Sequence, residues 1–415
     1  MSHNPHEVRI GVAGLGLRMY VSRLDRPWIE TPFLLEGLLV SSEEDVANLR
    51  RTCQHVYVDV TRGIRPDPRW IEPDDSELLR HAHGHDEIAS LHKRDWLVTT
   101  HFEAELPVAK KAHLLLEHGI EEVMTDVQNG RALDLPKVQA GVEAMIDSIA
   151  RNPTAFVWLK AIKRKSDYGY QHALGCSLWA ASFGRHLGMA REEVSELALS
   201  GLLFDVGKTR LPGELLSKCG AFDHADSQTM RRHVEESVRI LEQTVGMPPR
   251  IIEAVATHHE RHDGSGYPHR LEGAGIPIFG RILGLIDSYD AMTCVRPHAG
   301  SRSPHQAVME LYNARDILFQ ADIVEQFIQT CGVYPTGSLV ELSDGRVAVV
   351  TAVHDLKRLR PRVMVLLDRD KRPLAQFEAI DMSHVPADAN GRPLNIQRGL
   401  PQGAFGLDPA ELFLD

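Results

Sequence analysis

Apolar residues near the N-terminus fall in short β-prone runs, Phe33-Leu34-Leu35, Leu38-Leu39-Val40 and Val56-Tyr57-Val58, parted by Pro and Gly turns. With one helix over about 42–51, they predict a small α+β domain in residues 1–62. From 62 to about 101 neither period persists, and 63–135 is read as a linker, partly helical. Beyond it Val138, Gly141, Val142, Met145, Ile146 and Ile149 recur at three and four residues. Similar stripes follow, so 136–333 is expected to be all-α. After Tyr334-Pro335-Thr336-Gly337 the pattern becomes Leu339-Val340-Glu341-Leu342, the turn Ser343-Asp344-Gly345 and an apolar run from Val347, which reads as a hairpin. Residues 334–385 form a small β-rich appendage on this reading, and 386–415 a tail. The expected fold class is mainly α: an all-α helical domain with a small N-terminal α+β domain and a small C-terminal β appendage.

At 415 residues, 43% hydrophobic and 25% charged, the chain has the length for two or three domains and the composition of a folded protein. A net charge of -11 offers no basic field for a nucleic-acid polymer, although a local patch still suits a small anion. Cys53, Cys176, Cys219, Cys294 and Cys331 are widely spaced, which suggests neither a disulfide framework nor a thiolate zinc site. A reducing cytoplasm is expected, with no targeting signal and no membrane span.

The densest chemistry is His258-His259-Glu260-Arg261-His262-Asp263-Gly264-Ser265-Gly266-Tyr267-Pro268. Two imidazoles at a helix end running into a Gly-rich turn suit a metal, though solvated or capping histidines look the same. Asp205 lies in the apolar stretch Gly201-Leu202-Leu203-Phe204-Asp205-Val206, where a charge needs a cation or hydrogen-bond partners. Asp287 in Leu285-Ile286-Asp287 is a second such case, and His172 and His233 stand on amphipathic segments. Other signals are weaker. Gly11 to Gly16 looks like a nucleotide loop, but strand rather than helix follows it, so it is read as a turn. His81, His83 and His85 are read as solvated. The basic run Lys160, Lys163, Arg164, Lys165 suits an anionic ligand or a solvated helix face equally.

Taken in order, these elements resemble the HD-GYP family, a bacterial branch of the HD metal-dependent phosphohydrolases. The HHExxDGxGYP element is complete at 258–268, preceded by Tyr168-Gly169-Tyr170-Gln171-His172, Gly207-Lys208 and Leu211-Pro212. Ile276-Pro277, Arg281-Ile282, Asp287-Ser288-Tyr289-Asp290-Ala291-Met292 and Arg296-Pro297 follow, so the resemblance covers roughly 160–332. Residues 16–60 also look like the uncharacterised domain often found upstream of such domains. The resemblance implies an HD-type helical domain with His172, Asp205, His233, His258, His259 and Asp287 as metal ligands and Asp205 bridging two ions. It assigns Asp205 and Lys208 to catalysis, and Lys208 and Arg296 to contacts with the ligand. One or two divalent ions, iron or manganese, are implied as cofactors. Cyclic di-GMP is the implied substrate, with pGpG or GMP as product; diguanylate cyclase-type partners and a homodimer are the further expectations.

The chain departs from the family at its namesake dyad, where the histidine before Asp205 is Phe204. The first metal site then keeps His172, Asp205 and Asp287, while the second, Asp205 with His233, His258 and His259, is whole. After Arg296-Pro297 stand His298 and Ala299 instead of Tyr and a basic residue, and Tyr168 replaces the glutamate of three-metal members. These changes leave two readings, a weakened phosphodiesterase and an inactive domain that binds a cyclic dinucleotide or a protein.

Overall fold

The described N-terminal β-prone runs pair across the chain rather than in sequence order, while Phe33-Leu34-Leu35 lies outside the described residues. Strands β1 (Glu7–Gly11), β2 (Tyr20–Leu24), β3 (Leu38–Leu39) and β4 (His55–Asp59) form an antiparallel sheet in the order β1-β4-β2-β3. Helix α1 (Glu43–Thr52) joins β3 to β4, started by a capping box between Ser42 and Asp45. Ile10, Val21, Leu49, Val56 and Val58 form the dry centre of this unit. The Gly-rich segment after β1 is a short 3-10 turn, Val12–Gly14, leading into strand β2. The computed structural model describes residues 7–26, 37–71, 85–162, 168–218, 220, 222–294, 302–353, 359–388 and 391–407.

The helical region begins earlier than its stripes suggest. After α2 (His85–Ser90) comes α3 (Phe102–Gln128), a 27-residue helix inside the stretch expected to be a linker. Its Leu116, Ile120, Val123 and Val127 join the same core as α4 (Leu135–Arg151). The two helices close to backbone contact at Gly141, where a Cβ would lie 2.7 Å from the Leu116 Cα. Buried Glu105 of α3 takes two 2.8 Å hydrogen bonds from Arg151 at the end of α4.

Helices α5 (Pro153–Ile162), α6 (Tyr168–His186) and α7 (Arg191–Leu203) continue the bundle, followed by a 3-10 turn, Val206–Arg210. Then come α8 (Gly213–Leu216), α9 (His224–Arg231), α10 (His233–Glu242), α11 (Pro249–Thr257), α12 (Ile278–Thr293), α13 (Pro304–Asn313) and α14 (Ala321–Cys331). One continuous core runs through α5 to α7 and α10 to α14, including Phe183, Leu202, Ile251, Ile282 and Phe327. Among the described residues no helix is long and apolar enough to cross a membrane.

The C-terminal sheet contains β5 (Leu339–Leu342), β6 (Val347–Ala352), β7 (Arg362–Leu367), β8 (Pro373–Asp381) and β9 (Ile396–Leu400), in the order β8-β7-β6-β5-β9. The expected hairpin is β5-β6, its turn made by Gly345 at φ +88°. Strand β9 falls where a tail was expected: its Leu400 is buried, and the strand pairs with β5. The fold is thus mainly α with small sheets at both ends, and it places the His- and Asp-bearing parts of α6, α7, α10, α11 and α12 around one point.

Candidate metal centre

Buried leucines carry α7 inward, and its end at Leu203 delivers Phe204 and Asp205 into the centre of the bundle. The following turn packs directly on α10. A Cβ on Gly207 would lie 2.2 Å from the His233 carbonyl oxygen, and the Gly207 N–H donates to Ser237 Oγ at 2.8 Å. That approach sets His233 Nε2 3.3 Å from Asp205 Oδ1. The other carboxylate oxygen, Oδ2, faces His172 Nε2 at 3.9 Å and pairs with Lys208.

Tautomers are set from behind. Nδ1 of His233 donates to the Met230 carbonyl and Nδ1 of His258 to that of Val255, each at 2.6 Å, so both rings present Nε2 as an acceptor. His259 Nε2 comes within 3.2 Å of His233 Nε2, and the two rings meet edge to face. The three imidazoles His233, His258 and His259 form a ligand-competent group. On the opposite side His172 Nε2 lies 3.0 Å from Asp287 Oδ1, and Nδ1 lies 2.9 Å from Asp290 Oδ2. Asp287 Oδ2 also stands 3.8 Å from His259 Nδ1, linking the two sides.

Burial pushes His258 down to about 4 and holds His233 and His259 below the ordinary imidazole value, so all three are neutral at pH 7. Asp205 goes the opposite way from a simple buried acid. Burial would raise it, but Lys208, and then His233 and His172, hold it far below the usual carboxylate range. For His172 burial would lower the value and a Cys176 thiolate would raise it, but burial drives that thiol up to about 12, so it stays neutral. The bonds to Asp287 and Asp290 hold the ring well above its ordinary value.

These donors fit a cation. His258 Nε2 and Asp205 Oδ1 are buried without a hydrogen-bond partner, a costly state for polar atoms inside a protein. The neutral imidazole nitrogen of His259 and the Asp205 carboxylate oxygen, at 3.2–3.3 Å from His233 Nε2, have the spacing of neighbouring ligands around an ion bound at about 2.1 Å. Such N/O sets suit iron, manganese and related divalent ions.

Phe204 stands among the donors. It is 1% exposed, its ring centroid 4.9 Å from that of His258 and 5.6 Å from that of His172, edge-on to both. The Gly-rich loop closes one side: Glu260 accepts the backbone N–H groups of His269 and Leu271, and Tyr267 stacks on His259 at 4.6 Å. The Arg231 guanidinium also lies over the Tyr267 ring, 4.6 Å from its centroid. All six expected metal ligands therefore meet here. Lys208 is tied to Asp205 with its side chain 35% exposed. Arg296, with His298 and Ala299, lies outside the described residues, as do His81, His83 and Lys163 to Lys165.

The residue reading missed Asp290, which touches His172, and Lys160, which pairs with Asp290. The three-residue spacing of Asp287 and Asp290 on one helix face was a usable signal for the first. Lys160, which comes from α5, was singled out only as the start of a basic run, and nothing in the sequence tied it to Asp290. The described cysteines, Cys53, Cys176, Cys294 and Cys331, are free, as their spacing implied.

A helical bundle that gathers His and Asp side chains from five separate segments defines a metal-binding domain of the HD class. The HD domain family model matches residues 143–321, a domain of unknown function (DUF3391) matches 7–138, and a KOW domain associated with HD domain matches 339–386. A cyclic di-GMP phosphodiesterase of Pseudomonas aeruginosa is 27% identical over 379 residues, covering 90% of this chain and 88% of its own. A 3'3'-cGAMP-specific phosphodiesterase of Vibrio cholerae is 32% identical over 154 residues, 37% of this chain and 36% of that protein. Among solved structures, an HDG"Y"P protein from Bdellovibrio bacteriovorus aligns with a TM-score of 0.45 at 13% identity, over 77% of this chain and 98% of that one. Over residues 143–321 the chain is thus an HD domain, and it carries the HD-GYP motif at 258–268.

Proposed function

We infer that the protein is a metal-dependent phosphodiesterase that hydrolyses cyclic di-GMP to pGpG or GMP. The observation that carries this is the position of Asp205, one oxygen turned to His233 and the other toward His172, between two donor groups. His172, Asp205 and Asp287 would hold one divalent ion, and Asp205, His233, His258 and His259 the other. When bound, such a pair activates water at neutral pH and stabilises charge on the phosphodiester oxygens.

The chain's own residues prepare that site. The Met230 and Val255 carbonyls keep His233 and His258 in the Nε2-acceptor tautomer. Tyr267 and the loop behind it shield one face of His259 from solvent. Lys208, partly exposed beside Asp205, is placed to meet an incoming phosphate oxygen as a point charge. Cyclic di-GMP is favoured over cGAMP because the Pseudomonas aeruginosa relative, named for it, aligns along nearly the whole chain.

Phe204 supports a second reading, a domain that binds a cyclic dinucleotide or a protein partner without turnover. The deciding experiment loads the full chain with iron or manganese and follows both cyclic di-GMP and 3'3'-cGAMP by chromatography. Conversion of cyclic di-GMP that Asp205→Asn abolishes is the expected result. Tight binding of the dinucleotide by loaded protein with no conversion would transfer the case to the second reading, and absence of both would refute the enzyme and the dinucleotide-binding form of the second reading together.

A further inference from the structure

Lys160 opens the basic run that the sequence left open between an anion contact and a solvated face, and the structure gives it neither role. Its side chain turns inward from α5, 20% exposed, and pairs with the fully buried carboxylate of Asp290 through Oδ1. Its ammonium also lies 5.8 Å from the Trp179 ring centroid. The other oxygen, Oδ2, accepts from His172 Nδ1 at 2.9 Å and from Cys294 Sγ at 3.1 Å. An ammonium, a carboxylate and an imidazole thus form a line across three helices, ending on the only imidazole of the first donor group.

Space for this line depends on one residue. A Cβ on Gly175, nearly one turn beyond His172 in α6, would lie 2.3 Å from Asp290 Oδ1 and 2.7 Å from Lys160 Cε. Any side chain there would push the pair apart. Stability alone is a weak reason to bury an ion pair, since well-packed apolar residues serve as well or better. A metal-bound imidazole, by contrast, is held by a carboxylate on its far nitrogen, which sets ring orientation and donor strength. Lys160 adds a second anchor to that carboxylate and balances its charge.

The geometry points to Lys160 as a positioning residue that acts through Asp290 to set the ring of His172 for the first ion, an inference resting on the metal-centre reading above. The role matters more here than it would beside an intact dyad, because Phe204 leaves His172 without a companion imidazole at that end.

The test is manganese binding to metal-stripped full-length protein, followed by calorimetry and by metal content per chain, with no activity readout. Lys160→Met is expected to weaken one class of bound ion about 10-fold to 100-fold and to leave the other class unchanged. A general structural role would weaken both classes together. Asp290→Asn should give the same selective loss, and Lys160→Met should add nothing in that background, because the effect passes through the carboxylate. Gly175→Ala, with both charges retained, should reproduce the loss. If Lys160→Met does not fold, Lys160→Gln takes its place under the same criteria. Unchanged affinity in the lysine variant, or an equal further loss on top of Asp290→Asn, would overturn the inference. Wild-type protein that binds no manganese would instead refute the metal centre itself.

Discussion

Phe204 is the residue on which the chemistry of this chain turns. Its ring fills the space between His172 and His258 and is almost entirely buried, so the substitution trades a ligand for apolar packing. Phe204→His should therefore act in opposite directions on two measurements. Metal-free protein should become less stable by about 1–3 kcal/mol, since a polar ring replaces a packed one, as read from the urea midpoint. Metal content per chain and turnover of cyclic di-GMP should both rise, because the first group regains a second imidazole. A variant as stable as the parent with no added metal would mean that residue 204 does not face the first ion. The remaining ligand set was legible at this scale: His258 and His259 sit beside a Gly-rich turn, and Asp205 and Asp287 are carboxylates in apolar runs, which only a partner can justify. Lys160 was not legible, because its meaning comes from Asp290, 130 residues away, and from a missing side chain at Gly175.

Helices were readable where one face alone decides burial, and unreadable where a neighbour decides it. The stripe of α4 is clean, and the helix forms where that stripe predicts it. In α3 the buried Leu116 and Ile120 are interleaved with Leu114 and Leu115, which are 42% and 47% exposed, so the apolar period blurs although the helix packs fully on α4. Strand β9 has five residues and owes its place to pairing with β5, which no local pattern announces. Close packing of α3 and α4 carries its own expectation. Gly141→Ala places a methyl group against backbone atoms of Leu116 that cannot rotate away, so overpacking should cost about 1–3 kcal/mol even though alanine is the better helix former. Denaturant unfolding checks the sign: a neutral or stabilising result would show that the two helices are free to separate at that point.

At the scale of the whole molecule, the centre ties distant parts of the chain to one another, and its cost without metal depends on pH. His233, His258 and His259 have depressed values when folded, so between about pH 4 and 6.5 the unfolded chain binds protons that the folded chain does not. Stability of metal-free protein must then rise with pH through that window. His172 does not oppose the slope: its raised value gives stability that is fully present below 6.5 and is lost only as pH climbs through the folded value. The contributions of Asp205 and Asp287, whose values are lowered, are present above about 3.8 and disappear only in stronger acid. His258 alone, moved from 6.5 to about 4, is worth on the order of 3 kcal/mol at the acid end of the window. Bound metal competes with the same protons, and at an excess of 100 times its dissociation constant it adds about 2.7 kcal/mol. Urea midpoints in chelator should therefore fall from pH 6.5 to 4.5, and added manganese should raise them strongly at pH 7 and little at pH 4.5. A flat chelator series, or a manganese effect of equal size at both ends, would mean that the three imidazoles are not the buried, neutral ligands described for the centre.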